Sequence, residues 1–185
     1  SQQTPRQTTQ GLKAADGLEV TLWASEPDIF NPTNIDIDAR GRVWVLEGVN
    51  YRRTLPGMIG KDDRPAGDRI VILEDTDGDG RADKATDFGD GLNVPIGVLP
   101  CNNGCVAWSI PNIWHLKGDA KTVAYKGYGF KDTHGMTSAF TLGFDGWVYA
   151  CHGYANESAV KGAAPNVLKM TSGNTYRFKA DGSAI

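Results

Sequence analysis

Hydrophobic residues in this chain alternate with polar ones in short runs broken by glycine. That is the period of half-buried strands, not the 3.6-residue period of a helix. Ile35-Asp36-Ile37-Asp38, the turn Ala39-Arg40-Gly41 and Arg42-Val43-Trp44-Val45 make one such hairpin. Thr141-Leu142-Gly143-Phe144-Asp145-Gly146-Trp147-Val148-Tyr149 repeats it. A looser copy runs from Gly97-Val98-Leu99 through Cys101 to Cys105 and on to Val106-Ala107-Trp108. Further strand-like runs follow each hairpin: Arg69 to Glu74 with Ala85 to Phe88, Asn112 to Leu116 with Thr122 to Tyr125, and Asn174 to Lys179. The turn glycines Gly41, Gly104 and Gly146 are 63 and then 42 residues apart, the first interval being lengthened by an insertion from Arg52 to Asp68.

Four short strands recurring at about 40 to 50 residues predict the blades of a β-propeller. An independent β-sandwich of seven or more strands is the alternative. The expected fold is therefore all-β, with about three blades of four antiparallel strands near residues 33–90, 94–127 and 137–185. A propeller closes with four to eight blades. Residues 16–185 thus read as a partial propeller, either a fragment or one completed by remaining blades on another chain. Leu18 to Trp23 reads as a lone strand of the kind that completes a last blade. Residues 1–15 read as a flexible segment; Ser1 to Gln10 is Gln/Thr-rich and lacks an initiator Met, as in a mature chain after signal removal or at a simple chain boundary.

Composition supports the same class. The 23 glycines and nine prolines in 185 residues are dense punctuation, and 40% hydrophobic with 22% charged residues describes a globular chain. A net charge of −3 argues against a nucleic-acid partner. Acidity is concentrated: between Asp68 and Asp90 eight acids meet three bases, which points to a cation site. Within it, Asp75-Thr76-Asp77-Gly78-Asp79-Gly80-Arg81-Ala82-Asp83 has the D-x-D-x-D-G-x-x-D spacing of a calcium loop. Carboxylates of Asp75, Asp77 and Asp79, the Arg81 carbonyl and Asp83 are the expected Ca²⁺ ligands, in a structural role. Thr86 stands where an EF-hand has Glu, so the loop is not a complete EF-hand, and a solvated Asp/Gly turn is the alternative. Cys101 and Cys105 flank a three-residue loop and are either bridged across the hairpin or two free thiols. Cys151 is then left over, buried and inert. No C-x-x-C-H occurs, so covalent haem is not expected in this segment.

Several runs carry a family resemblance. Gly67-Asp68-Arg69-Ile70-Val71-Ile72-Leu73-Glu74 with the acidic loop after it, Gly91 to Leu99, Asp132-Thr133-His134-Gly135-Met136, and Phe144 to Gly153 resemble one bacterial domain. It is the N-terminal domain of planctomycete-type membrane-bound dehydrogenases (PVC-type haem-binding proteins), distant relatives of the quinoprotein glucose/sorbosone dehydrogenases. The resemblance covers most of residues 15–185. It implies a six-bladed propeller, a periplasmic or secreted location with membrane association in the full-length protein, a cytochrome c domain as electron acceptor, and PQQ as cofactor.

Candidate site residues lie on the connections expected at one end of the disc, which also carry Asn50, Tyr51, Tyr154 and Asn156. His134 with Asp132 is the catalytic candidate, since an imidazole beside a carboxylate can accept a hydroxyl proton. A histidine in a comparable loop is the base in the quinoprotein relatives; packing is the alternative role. Arg52 and Arg53 can clamp an anionic quinone or are plain surface charges. Asn93 and His152 are further cofactor candidates, and His152 beside Cys151 can ligate a soft metal. His115, in a strand, reads as structural. Two functions stay open: an exported sugar or alcohol dehydrogenase domain passing electrons to a cytochrome, and a calcium-stabilised, non-catalytic propeller binding glycans or proteins.

Overall fold

The computed structural model describes residues 3–51, 64–101 and 103–185. The alternating runs become antiparallel strands throughout. β1 (Pro32–Ile37), β2 (Val43–Glu47), β3 (Asp68–Glu74) and β4 (Lys84–Leu92) form a first sheet in that order. β5 (Gly97–Cys101), β6 (Gly104–Ser109), β7 (Asn112–Lys117) and β8 (Ala120–Tyr125) form a second in the same order. β9 (Ser138–Leu142) and β10 (Val148–His152) open a third sheet, and β11 (Ser158–Val160) and β12 (Leu168–Met170) make a separate two-stranded hairpin. β13 (Asn174–Phe178) then returns to pair with β10, giving the order β13-β10-β9. Among the described residues the fold is all-β apart from one short helix, and none of the four sheets is closed.

The two-residue side-chain period decides how the sheets stack. Trp44, Leu46, Ile70 and Ile72 face Val98, Cys105, Ala107 and Leu116 across the gap between the first and second sheets. The opposite side of the second sheet, with Leu99, Val106, Trp108, Ile113 and Tyr125, packs on Phe140, Val148, Ala150, Tyr176 and Phe178 of the third. The middle sheet is therefore covered on both faces, which is why β6 is buried at every position.

The hairpin repeat survives at atomic detail. Asp38 N–H donates to Arg42 O (3.0 Å) and Gly41 N–H to Asp38 O (2.9 Å). Gly143 N–H to Trp147 O (2.8 Å) and Gly146 N–H to Gly143 O (3.0 Å) reproduce the pattern. Gly41 and Gly146 both take left-handed φ, 79° and 72°, as the turn demands.

The looser hairpin differs by one residue, with consequences for its cysteines. Cys101 pairs with Gly104, and Cys105 with Pro100. A one-residue change of register moves a side chain to the other face. Cys101 accordingly joins the cluster against the third sheet and Cys105 the cluster against the first. Both are free thiols, so the cross-hairpin bridge does not form. Cys151 is also free and, contrary to expectation, exposed, because β10 alternates with Val148, Ala150 and His152 inward.

Leu18 to Trp23 belongs to no sheet. Only its end is covered, and by a sheet face instead of an edge: Trp23, with Ala24 and Ile29, packs on Val45, Val71 and Leu73 of the first sheet, while Leu18 and Val20 are exposed. Trp23 O accepts Ala82 N–H at 2.8 Å. Before it lies α1 (Pro5–Gly11), started by a capping box in which Thr4 and Gln7 exchange side-chain to backbone hydrogen bonds of 3.3 and 2.9 Å. The β11–β12 hairpin, also not foreseen, is tied to the strand leaving β8: Lys126 and Lys161 form an antiparallel bridge, and Ala159 N–H donates to Gly127 O at 2.9 Å.

Candidate functional site

Antiparallel order sends successive connections to alternate ends, and side-chain bonds show which of them meet. Tyr51, after β2, brings its hydroxyl 3.3 Å from Thr133 Oγ1, after β8. Asp68 at the start of β3 accepts Val94 N–H (3.1 Å), between β4 and β5, and Asn50 N–H (2.8 Å). Burial pushes the Asp68 carboxyl up, against the pull of those two amides. Asn50 also exchanges hydrogen bonds with Arg64, giving Nδ2–H to Arg64 O (2.9 Å) and accepting Arg64 N–H at Oδ1 (3.0 Å).

Beneath this end lies an ion-pair knot that no motif announces. Glu47 is fully buried at the end of β2. It accepts Arg64 Nη1–H (2.6 Å), Arg69 Nε–H (2.7 Å) and Phe30 N–H (2.8 Å). Burial alone would raise its pKa; the Arg69 and Arg64 hydrogen bonds outweigh that and hold it below the ordinary value. The only sequence signal is a carboxylate continuing the buried run Val43-Trp44-Val45-Leu46.

At the surface of the same end, Asp132 and His134 meet. One carboxylate oxygen of Asp132 accepts both the His134 backbone N–H (2.9 Å) and ring Nδ1–H (3.0 Å). An ionised carboxylate only accepts, so Nδ1 carries the proton and Nε2 the lone pair. The imidazole is 54% exposed and Asp132 30%. Their loop lies backbone-to-backbone on the segment after β10: a Cβ on Gly135 would stand 2.0 Å from Tyr154 O, so only glycine permits the approach.

Other expected participants are placed differently. His152 is not at the loop surface. It is 1% exposed, with Nε2 2.7 Å from Ser158 Oγ and Nδ1 without a hydrogen-bond partner. Desolvation by burial pulls its pKa down. Cys151 points from the opposite face of β10, so the adjacent pair shares no ligand position. Asn93 is exposed; its backbone is held by Ser109 Oγ (2.8 Å to its N–H) and by Ile110 N–H (2.9 Å to its C=O). Arg52 and Arg53 lie outside the described residues. His115 sits in β7, half-buried, with its Nε2 unpartnered.

The acidic loop joins β3 to β4 at the other end. Ligand oxygens of Asp75, Asp77 and Asp79 lie within 4.8 Å of one another. Asp75 accepts Gly78 N–H (2.7 Å) and Gly80 N–H (3.0 Å), and Asp79 accepts Arg81 N–H (2.9 Å). Asp83 is outside the trio. It closes the loop by accepting Thr76 Oγ1–H (2.6 Å) and N–H (3.0 Å), bonds that lower its pKa.

Stacked antiparallel sheets with polar connections gathered at one end define an all-β scaffold that carries its candidate chemistry on loops. The chain belongs to the family described as a domain of unknown function (DUF7133), which matches residues 4–185. No curated protein and no solved structure matches it. Among the described residues, no helix is long and apolar enough to cross a membrane.

Proposed function

We propose that the three stacked sheets are blades of a β-propeller and that its loop end takes the hydroxyl proton of a sugar or alcohol, in an exported dehydrogenase domain that passes electrons to a cytochrome. The observation that carries this is the Asp132–His134 pair. With Nδ1–H held by the carboxylate at 3.0 Å, Nε2 accepts the proton, and Asp132 stabilises the imidazolium that results. The Asp132–His134 pair would take the proton, and a separate group must take the hydride. PQQ, which the family resemblance implies, would take the hydride; of its expected ligands His152 is buried, Asn93 is exposed, and Arg52 and Arg53 lie outside the described residues.

In the full-length protein, His134→Ala is expected to lower dye-linked sugar oxidation by about 10²- to 10⁴-fold with the unfolding midpoint unchanged. Undiminished turnover would remove His134 from the mechanism.

A second reading is a non-catalytic glycan- or protein-binding domain. It is favoured by the β9–β10 turn, where exposed Phe144 and Tyr149 adjoin Trp147, over whose ring Arg177 and Lys179 each stand at 4.5 Å. Glycan binding that survives His134→Ala, with no turnover in the wild type, selects it.

In either case we assign Asp75, Asp77 and Asp79 to a structural Ca²⁺, since three carboxylates held by loop amides fit a hard, oxygen-liganded cation. Ca²⁺ at a hundred times its Kd is expected to add about 2.7 kcal/mol of stability. Asp75→Asn with Asp79→Asn should abolish the gain. Identical melting of the wild type with Ca²⁺ and with chelator would exclude the site.

A further inference from the structure

Asn156 is 1% exposed and sits on the segment after β10, beside the Asp132–His134 loop. Both functional atoms of its amide are spent on one residue. Oδ1 accepts Asp132 N–H at 3.0 Å, and Nδ2–H donates to Asp132 C=O at 2.8 Å. A buried amide that pairs with the backbone of a single residue on both sides fixes that residue as an adjacent strand would, although no strand runs there. Asp132 in turn is the residue whose carboxylate fixes His134.

The neighbourhood is shaped for this reach. Ala155, just before Asn156, adopts φ 60°, a left-handed conformation that a non-glycine residue takes at a cost. Gly135 and Gly153 bring the two segments into backbone contact: a Cβ on Gly153 would lie 2.6 Å from Gly135 Cα. Ser158 Oγ accepts Gly129 N–H at 2.8 Å and anchors the same two segments from the other side.

We infer that Asn156 is a positioning residue: through the Asp132 backbone it sets the carboxylate that holds the Nδ1–H tautomer of His134. The inference rests on His134 as the proton acceptor proposed above, but its central claim concerns the ring itself. A free histidine in water prefers the Nε2–H tautomer, whose lone pair is on the wrong nitrogen for this geometry. Asn156 acts by keeping the pair in register, without touching substrate.

The test is the tautomer ratio of His134, read by long-range ¹H–¹⁵N correlation at a pH where the ring is neutral. The wild type is expected to show mainly Nδ1–H. Asn156→Ala is expected to shift the ratio toward Nε2–H by about tenfold, the loss of one hydrogen bond to a charged group. Ser158→Ala, which removes a neighbouring buried contact without reaching Asp132, should leave the ratio unchanged. An unchanged ratio in folded Asn156→Ala protein overturns the inference, and so does an equal shift in Ser158→Ala. Should Asn156→Ala fail to fold, Asn156→Asp keeps the acceptor and loses the donor; an unaltered tautomer there overturns it equally. Sugar turnover in the full-length wild type is a separate readout: its absence sinks the dehydrogenase reading while the tautomer result stands.

Discussion

Glu47→Ala is expected to destabilise the protein by about 3–5 kcal/mol, the usual cost of removing one partner from a buried ion pair. The reason is what is left behind. Arg64 and Arg69 both aim at the missing carboxylate, at 2.6 and 2.7 Å, and Phe30 N–H loses its acceptor. The loss should appear in urea unfolding as a lower midpoint with an unchanged slope. The wild type carries a matching pH dependence. Because the folded pKa of Glu47 is depressed, its contribution is fully present above the unfolded value of about 4.3. It is lost as pH falls through the folded value. Glu47→Ala should therefore flatten the acid limb of the stability profile. A variant as stable as wild type, or one with the same acid limb, would show that the knot contributes nothing net.

Phe178→Ala is expected to cost about 3–5 kcal/mol as well, here through a cavity. Phe178 is fully buried where β13 meets the second sheet. Its ring lies 5.3 Å from Tyr125, 5.3 Å from Phe140 and 6.0 Å from Tyr176, two of these contacts edge-on. The loss loosens the third sheet from the second, so near-ultraviolet dichroism should weaken along with the unfolding midpoint. Phe144→Ala is the internal comparison: the same residue type, in the turn between β9 and β10, but 116% exposed. Its effect should stay within about 0.5 kcal/mol. Equal costs at the two positions would mean that the inter-sheet cluster does not carry the stability.

Much of this architecture was legible in the sequence. The hairpins around Gly41 and Gly146, the strands from Arg69 and Asn112, and their antiparallel order follow from a period-two pattern with turn glycines, both local in origin. The acidic loop was legible because its oxygens sit within a few residues of one another. What misled was also local. Cys101 and Cys105 look bridgeable until the register is known, and one residue of register reverses a side chain. Leu18 to Trp23 has a strand's composition, yet it pairs with no strand: Trp23 packs on the face formed by Val45, Val71 and Leu73, and Leu18 and Val20 stay exposed. β11 and β12 are three residues each, too short to leave a periodic trace.

The site divides along the same line. His134 and Asp132 are two residues apart, so their pairing could be read from the chain. Glu47 with Arg64, Asp68 with Val94, and Asn156 with Asp132 are 17, 26 and 24 residues apart, and nothing in their local context selects those partners. His152 is buried because β10 turns it inward. The sequence by itself determined strands, turns and the acidic loop, because these depend on side-chain period and backbone preference within a few residues. Only the tertiary structure decided register, which face each sheet buries and which loops meet, because those depend on contacts between residues far apart in the chain.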